Sequence, residues 1–199
     1  RPEFFAGIPE RIQNLFVFGI GQKKMFKEKG AGWMHAFIFW GFLVLQLRTL
    51  YLILLAYFPD LHIPFVHSEY ALAKDITEVI VLAMCAYAAY RRLVTKPARL
   101  TFSGEALLVL GMISSLLLSD LLYDGMHFAL MTSRGDVSAV LADEIAHAPV
   151  GAFFASLFMG LDESVLLTGR ETFYWWHIFI VLTFLNMLPG SKHFHVITA

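Results

Sequence analysis

Cysteine is almost absent. Cys85 is the only one in 199 residues. The chain therefore makes no internal disulfide and cannot by itself hold an iron–sulfur cluster or a zinc finger. Charge is also scarce: 16% of residues are charged, against ~25% in soluble domains. A net charge of −1 leaves no basic surplus to draw nucleic acid. No charged start, short apolar run and small-residue cleavage site mark a secretory signal. No internal repeat or low-complexity tract is visible. There is no initiator Met, and the abrupt limits at Arg1 and Ala199 are those expected of a piece of a longer protein.

What the chain has instead is apolar length. It is 58% hydrophobic, with a mean hydropathy of +0.64. A bilayer core takes about 20 apolar residues per helix. Residues 33–58 (WMHAFIFWGFLVLQLRTLYLILLAYF) qualify and end at Pro59–Asp60. Residues 70–90 form a second candidate, charged early and apolar later. Residues 104–131 contain a third, apolar to Leu118 and then carrying Asp120, Asp124 and His127. Residues 173–189 (FYWWHIFIVLTFLNMLP) form a fourth. Residues 149–161 are apolar but short, which fits a re-entrant or interfacial helix better than a crossing. The expected architecture is an all-α membrane protein. Residues 1–32 form an interfacial segment, and 33–199 form a bundle of about four transmembrane helices plus the short outer helix.

Lys and Arg set the orientation. Arg11, Lys23, Lys24, Lys27 and Lys29 precede the first span, and Arg91, Arg92, Lys96 and Arg99 follow the second. The loop 59–69 has no Lys or Arg, and 132–171 has only Arg134 and Arg170. The first two regions are expected in the cytoplasm and the last two outside. The final helix then runs inward.

Histidines are the unusual residues. His177 and His195 are five helical turns apart, ~27 Å along one face, which nearly matches the ~30 Å hydrocarbon core. Pro189 falls between them and can kink the helix. Neutral imidazole is the usual axial ligand of haem iron, and one His per leaflet suits a helix serving two stacked haems. The plain alternative puts His177 in an aromatic belt with Trp175 and Trp176, and His193 and His195 in the solvated interface. His35, at the cytoplasmic end of the first span, stands at the depth of His195. Those two suit a single haem. No C-x-x-C-H is present, so any haem is held non-covalently.

At these residues the chain resembles a known family. "LPGSKHFHVITA" is similar to the end of the last helix in the haem b (gamma) subunit of respiratory nitrate reductases, and "GWMHAFIFWGFLVL" resembles that family's earlier ligand-bearing helix. "GIGQKKMFKEKGAGWMH" looks more like a subgroup fused to a heterodisulfide-reductase-like iron–sulfur domain. That subgroup includes membrane oxidoreductases passing electrons from electron-transfer flavoprotein to menaquinone. The resemblance covers residues ~10–50 and 173–199 well, and the middle mainly by hydropathy. It implies His35 and His195 as ligands of an inner haem b and His177 as one ligand of an outer haem b. The family's second outer ligand falls at Leu45 here. His127 is the expected replacement, with His67 and then His147 behind it. The resemblance also implies a multi-pass protein of a bacterial or archaeal cytoplasmic membrane. Its partners would be lipid, quinone, and a cytoplasmic iron–sulfur domain or flavoprotein that brings the clusters this chain lacks.

Ionisable residues inside a span are functional candidates. Arg48 is placed to meet a haem propionate or to snorkel outward. Lys74 and Glu78 are i, i+4 and can pair. Asp120, Asp124 and His127 share one helix face, and a carboxylate–His face could carry the protons that quinone reduction needs. Arg48, Lys74, Asp120 and Asp124 are thus the propionate or quinone candidates. The leading functional expectation is a haem b electron-transfer module between a cytoplasmic redox partner and quinone. A non-haem anchor or a transporter module is the alternative.

Overall fold

The computed structural model describes residues 7–61, 63–98 and 103–187. It is all-helical: α1 (Ile8–Asn14), α2 (Lys29–Tyr57), α3 (Pro64–His67), α4 (Glu69–Tyr90), α5 (Gly104–Arg134), α6 (Ala139–His147), α7 (Pro149–Phe158) and α8 (Glu163–Met187).

The ends of these helices follow from local chemistry. Ser103 caps α5 by accepting from the Ala106 amide, and Ser138 caps α6 by accepting from Leu141; such caps satisfy amides that the helix leaves open. Gly135, at φ 70°, closes α5 in the left-handed conformation that glycine adopts without strain. Pro149 opens α7, where its missing amide costs nothing.

The four long helices form an antiparallel row, α2 against α4, α4 against α5, and α5 against α8. Gly41 of α2 sits against Val81 of α4, where an added Cβ would fall 2.2 Å from Val81 Cγ2. Small residues let helix backbones approach in this way. Val81, Cys85 and Leu117 form the core at mid-height, and Leu45 packs on it. A second core of Met126, Phe128, Ala129, Leu130, Ala148, Ala155 and Leu166 joins α5, α7 and α8. Arg134 clasps Glu163 at 2.5 Å and ties the same ends of α5 and α8.

The pair α6–α7 bends by 104°. It lies over the end where α2 finishes and α4 begins. The apolar run 149–161 is thus the second half of a bent pair, whereas α6, with Asp143 and Glu144, was too short and polar to stand out in the sequence.

Among the described residues, two helices, α2 and α5, are long and apolar enough to cross a membrane, and a third candidate arises if the bent pair is one span. The expected four crossings are therefore not all shown. Lys74, Asp75 and Glu78 break the apolar length of α4. α8 starts at Glu163, ten residues before the expected 173, and brings Arg170 and Glu171 with it. Before α2, Trp40 Nε1 donates to the Ile20 carbonyl at 2.7 Å, and Phe26 stacks near Trp33 with ring centroids 4.6 Å apart. These contacts pin the preceding segment to α2, which itself begins at Lys29.

Candidate functional site

Charge gathers inside the row rather than around it. Lys74 is 2% exposed, Asp75 0%, Glu78 1% and Asp124 2%. Lys74 Nζ stands 2.6 Å from Asp124 Oδ2, 2.8 Å from Asp120 Oδ2 and 3.4 Å from Glu78 Oε1. The ammonium donates hydrogen bonds to Asp124 and Asp120, and Glu78 adds an ion-pair contact. Arg48 Nη2 reaches Asp124 Oδ1 from α2 at 3.6 Å. The backbone amide of Arg48 donates to the Tyr70 hydroxyl at 2.9 Å, which in turn donates to the Val44 carbonyl at 3.0 Å. Tyr70 thus fixes the height of Arg48 against α4. Of the sequence candidates, Arg48, Lys74, Asp120 and Asp124 come together in one network.

Two carboxylates outside the propionate or quinone candidates join them. Glu78 completes the ring around Lys74. Asp75 accepts from the amides of Val150 at 2.5 Å and Gly151 at 3.4 Å, the first turn of α7. Those amides have no partner within their own helix, and the positive helix end suits an anion.

The histidines separate by environment. His177 Nδ1 lies 3.1 Å from Ser119 Oγ on α5. Ser119 donates its own proton to the Leu116 carbonyl at 2.7 Å, so its oxygen accepts. With Ser119 as acceptor, the imidazole would carry its hydrogen on Nδ1 and leave a lone pair on Nε2. Metal-binding imidazoles are held in this way, with the non-ligating N–H donated to a fixed acceptor. Ser119 had no motif to reveal it; the available signal was a series of hydroxyls, Ser114, Ser115 and Ser119, along an otherwise apolar helix, which often marks a helix–helix contact. Asp120 is the next residue, so His177 stands level with the charged network.

His127 is half-buried, stacked on Tyr123 at 5.9 Å, and its Nδ1 is buried with no hydrogen-bond partner. It lies two helical turns, ~12 Å, from the level of Ser119. His67 has both ring nitrogens engaged, Nε2 at 3.3 Å from the Tyr51 hydroxyl and Nδ1 at 3.4 Å from Glu144 Oε2. His147 is tied to Asp143 of its own turn. His35 is half-buried near the start of α2, at the opposite end of the row from the charges. His195 and His193 lie outside the described residues, so the pairing of His35 with His195 is not visible. Leu45, at the position of the missing ligand, faces the mid-height core. The residues at His177 fit a haem ligand: an imidazole with Nδ1 engaged by Ser119, level with the cations Arg48 and Lys74, which could face propionates.

Over 199 residues the chain is 30% identical to an EtfAB:quinone oxidoreductase of Syntrophomonas wolfei subsp. wolfei, an alignment covering 95% of this chain. It is 28% identical to the probable iron–sulfur-binding oxidoreductase FadF of Bacillus subtilis, with 99% of this chain covered. The chain spans about a quarter of either relative, 27% in each case. No family model matches the sequence, and no solved structure matches it. The chain is a distant homologue of a portion of these two oxidoreductases.

Proposed function

We propose that the chain is a haem b electron-transfer module that passes electrons between a cytoplasmic iron–sulfur or flavoprotein partner and the membrane quinone pool. The observation that carries this reading is His177, held by Ser119, level with a network of Arg48, Lys74, Asp120 and Asp124 in which Lys74 and Asp124 are buried. A structural anchor gains nothing from such a network, because isolated charge inside a span costs ~2.5–3.5 kcal/mol per residue on insertion scales. The relation to an EtfAB:quinone oxidoreductase supports quinone and electron-transfer flavoprotein as partners.

In this reading α4 and α8 also cross the membrane, for four crossings in all. His177 and His127 would hold an outer haem once α5 and α8 shift to bring their rings, ~12 Å apart in height here, to one iron, and His35 and His195 would hold an inner one. Haem, when bound, supplies the one-electron carrier. The chain supplies the axial imidazoles, dry surroundings, and cations for the propionates or the quinone head. The free Nδ1 of His127 and the doubly engaged ring of His67 favour His127 as the second outer ligand.

The test is an absorbance spectrum and haem-to-protein ratio of the protein purified from haem-replete cells. A ratio of two, with pigment extractable by acid acetone, is expected. A colourless preparation would leave the non-haem anchor standing.

A further inference from the structure

The network around Lys74 does not balance in charge. Facing it are Arg48 from α2, Lys74, Glu78 and Asp75 from α4, Asp120 and Asp124 from α5, and Glu144 from α6. Asp75 is compensated separately by the first turn of α7. Glu144 has His67 as its own partner. The inner set is then Arg48 and Lys74 against Glu78, Asp120 and Asp124, one negative charge in excess.

Geometry singles out where the excess sits. Asp124 has both cations, Lys74 at 2.6 Å and Arg48 at 3.6 Å. Asp120 has Lys74 at 2.8 Å. Glu78 has only the long contact of 3.4 Å through Oε1, and its Oε2 is buried and faces no donor. The carboxyl groups of Glu78 and Asp120 stand side by side on the same ammonium, Lys74 Nζ, at 3.4 and 2.8 Å. Two ionised carboxylates repel at that range, and a buried pair settles by holding one proton between them.

We infer that Glu78 and Asp120 share one proton at rest and form the proton-exchange group of the quinone site. Glu78 is sealed at 1% side-chain exposure, while Asp120 is 22% exposed. In this proposal Glu78 is the enclosed end that retains the proton, and Asp120, on the less enclosed side of the helix row, is the end that trades it. The use of the proton rests on the electron-transfer reading above. A quinone becomes a quinol by gaining two electrons and two protons, one on each carbonyl oxygen. The electrons arrive from the partner through the module. The pair gives one proton to one oxygen, is left as two carboxylates, and refills from water through Asp120. Solvent supplies the second proton. Quinol oxidation runs the same exchange backwards.

The experiment is infrared spectroscopy of the purified membrane protein at neutral pH. A protonated carboxylic acid shows a carbonyl stretch clear of the amide bands, shifted to lower frequency in D2O. The band is expected in the parent protein, lost in Glu78→Gln, and kept in Asp75→Asn. Glu78→Gln should fold as well as the parent, since the amide mimics the neutral acid, and should slow quinone turnover at least tenfold with haem content unchanged. No acid band in the parent protein, or a band that survives Glu78→Gln, overturns the inference. A parent protein that shows the Glu78 band but no haem and no quinone turnover keeps the shared proton and removes the function proposed for it.

Discussion

Lys74→Met removes the ammonium while keeping the length of the side chain. The consequence follows from the contacts. Three carboxylates meet at Lys74, within 2.6–3.4 Å, and the remaining cation, Arg48, reaches only Asp124. Removing one member of a buried ion pair costs about 3–5 kcal/mol, because the partner charge stays behind without compensation. For a chain of this size 1 kcal/mol moves the melting temperature by ~2–4 °C, so Lys74→Met should melt about 6–20 °C below the parent. The assay is loss of helical circular dichroism on heating in one fixed detergent. The double variant Lys74→Met, Asp124→Leu removes both partners of the shortest pair, and replacing a buried pair by apolar residues is often neutral. It should recover at least half of the loss. A Lys74→Met protein melting within ~2 °C of the parent would refute the reasoning, since that is the range of an uncoupled surface change.

The other predictions concern the haems and the packing. Ser119→Ala should shift the midpoint potential of one haem and leave the other in place, with Ser119→Thr restoring the parent value; identical potentials in parent and Ser119→Ala would detach Ser119 from the iron. His127→Ala should lower the haem-to-protein ratio from two to one, and His67→Ala should not; the reverse result would exchange their roles. His35→Leu and His195→Leu should remove the same low-spin signal, and separate spectral losses would break that pairing. Gly41→Leu should destabilise by about 1–3 kcal/mol or more through overpacking, because even a Cβ there falls 2.2 Å from Val81; an unchanged melting temperature would mean that α2 and α4 do not pack this closely in the membrane.

Helix existence was legible because it is a local matter. Apolar length, Pro59 and the capping serines act within a few residues, and α2, α4 and α5 fall within a few residues of their expected limits. The i, i+4 pairing of Lys74 with Glu78 was legible for the same reason, and so was the common face of Asp120 and Asp124. The early start of α8 was not: Glu163, Arg170 and Glu171 look like loop residues until Arg134 is seen to hold Glu163. Which charges meet across helices was hidden as well. Lys74 and Asp120 are 46 positions apart, Ser119 and His177 are 58 apart, and Asp75 finds its amides 75 positions later. Sequence periodicity says which face of a helix is polar but not which neighbour covers it. That choice is made by the antiparallel order of the row and by close approaches such as Gly41 on Val81. The sequence by itself determined a helical chain with segments long and apolar enough to cross a membrane. Only tertiary packing decided that its buried charges form one network level with His177, because dehydrated charges are tolerated only where opposite charges from other helices are brought against them.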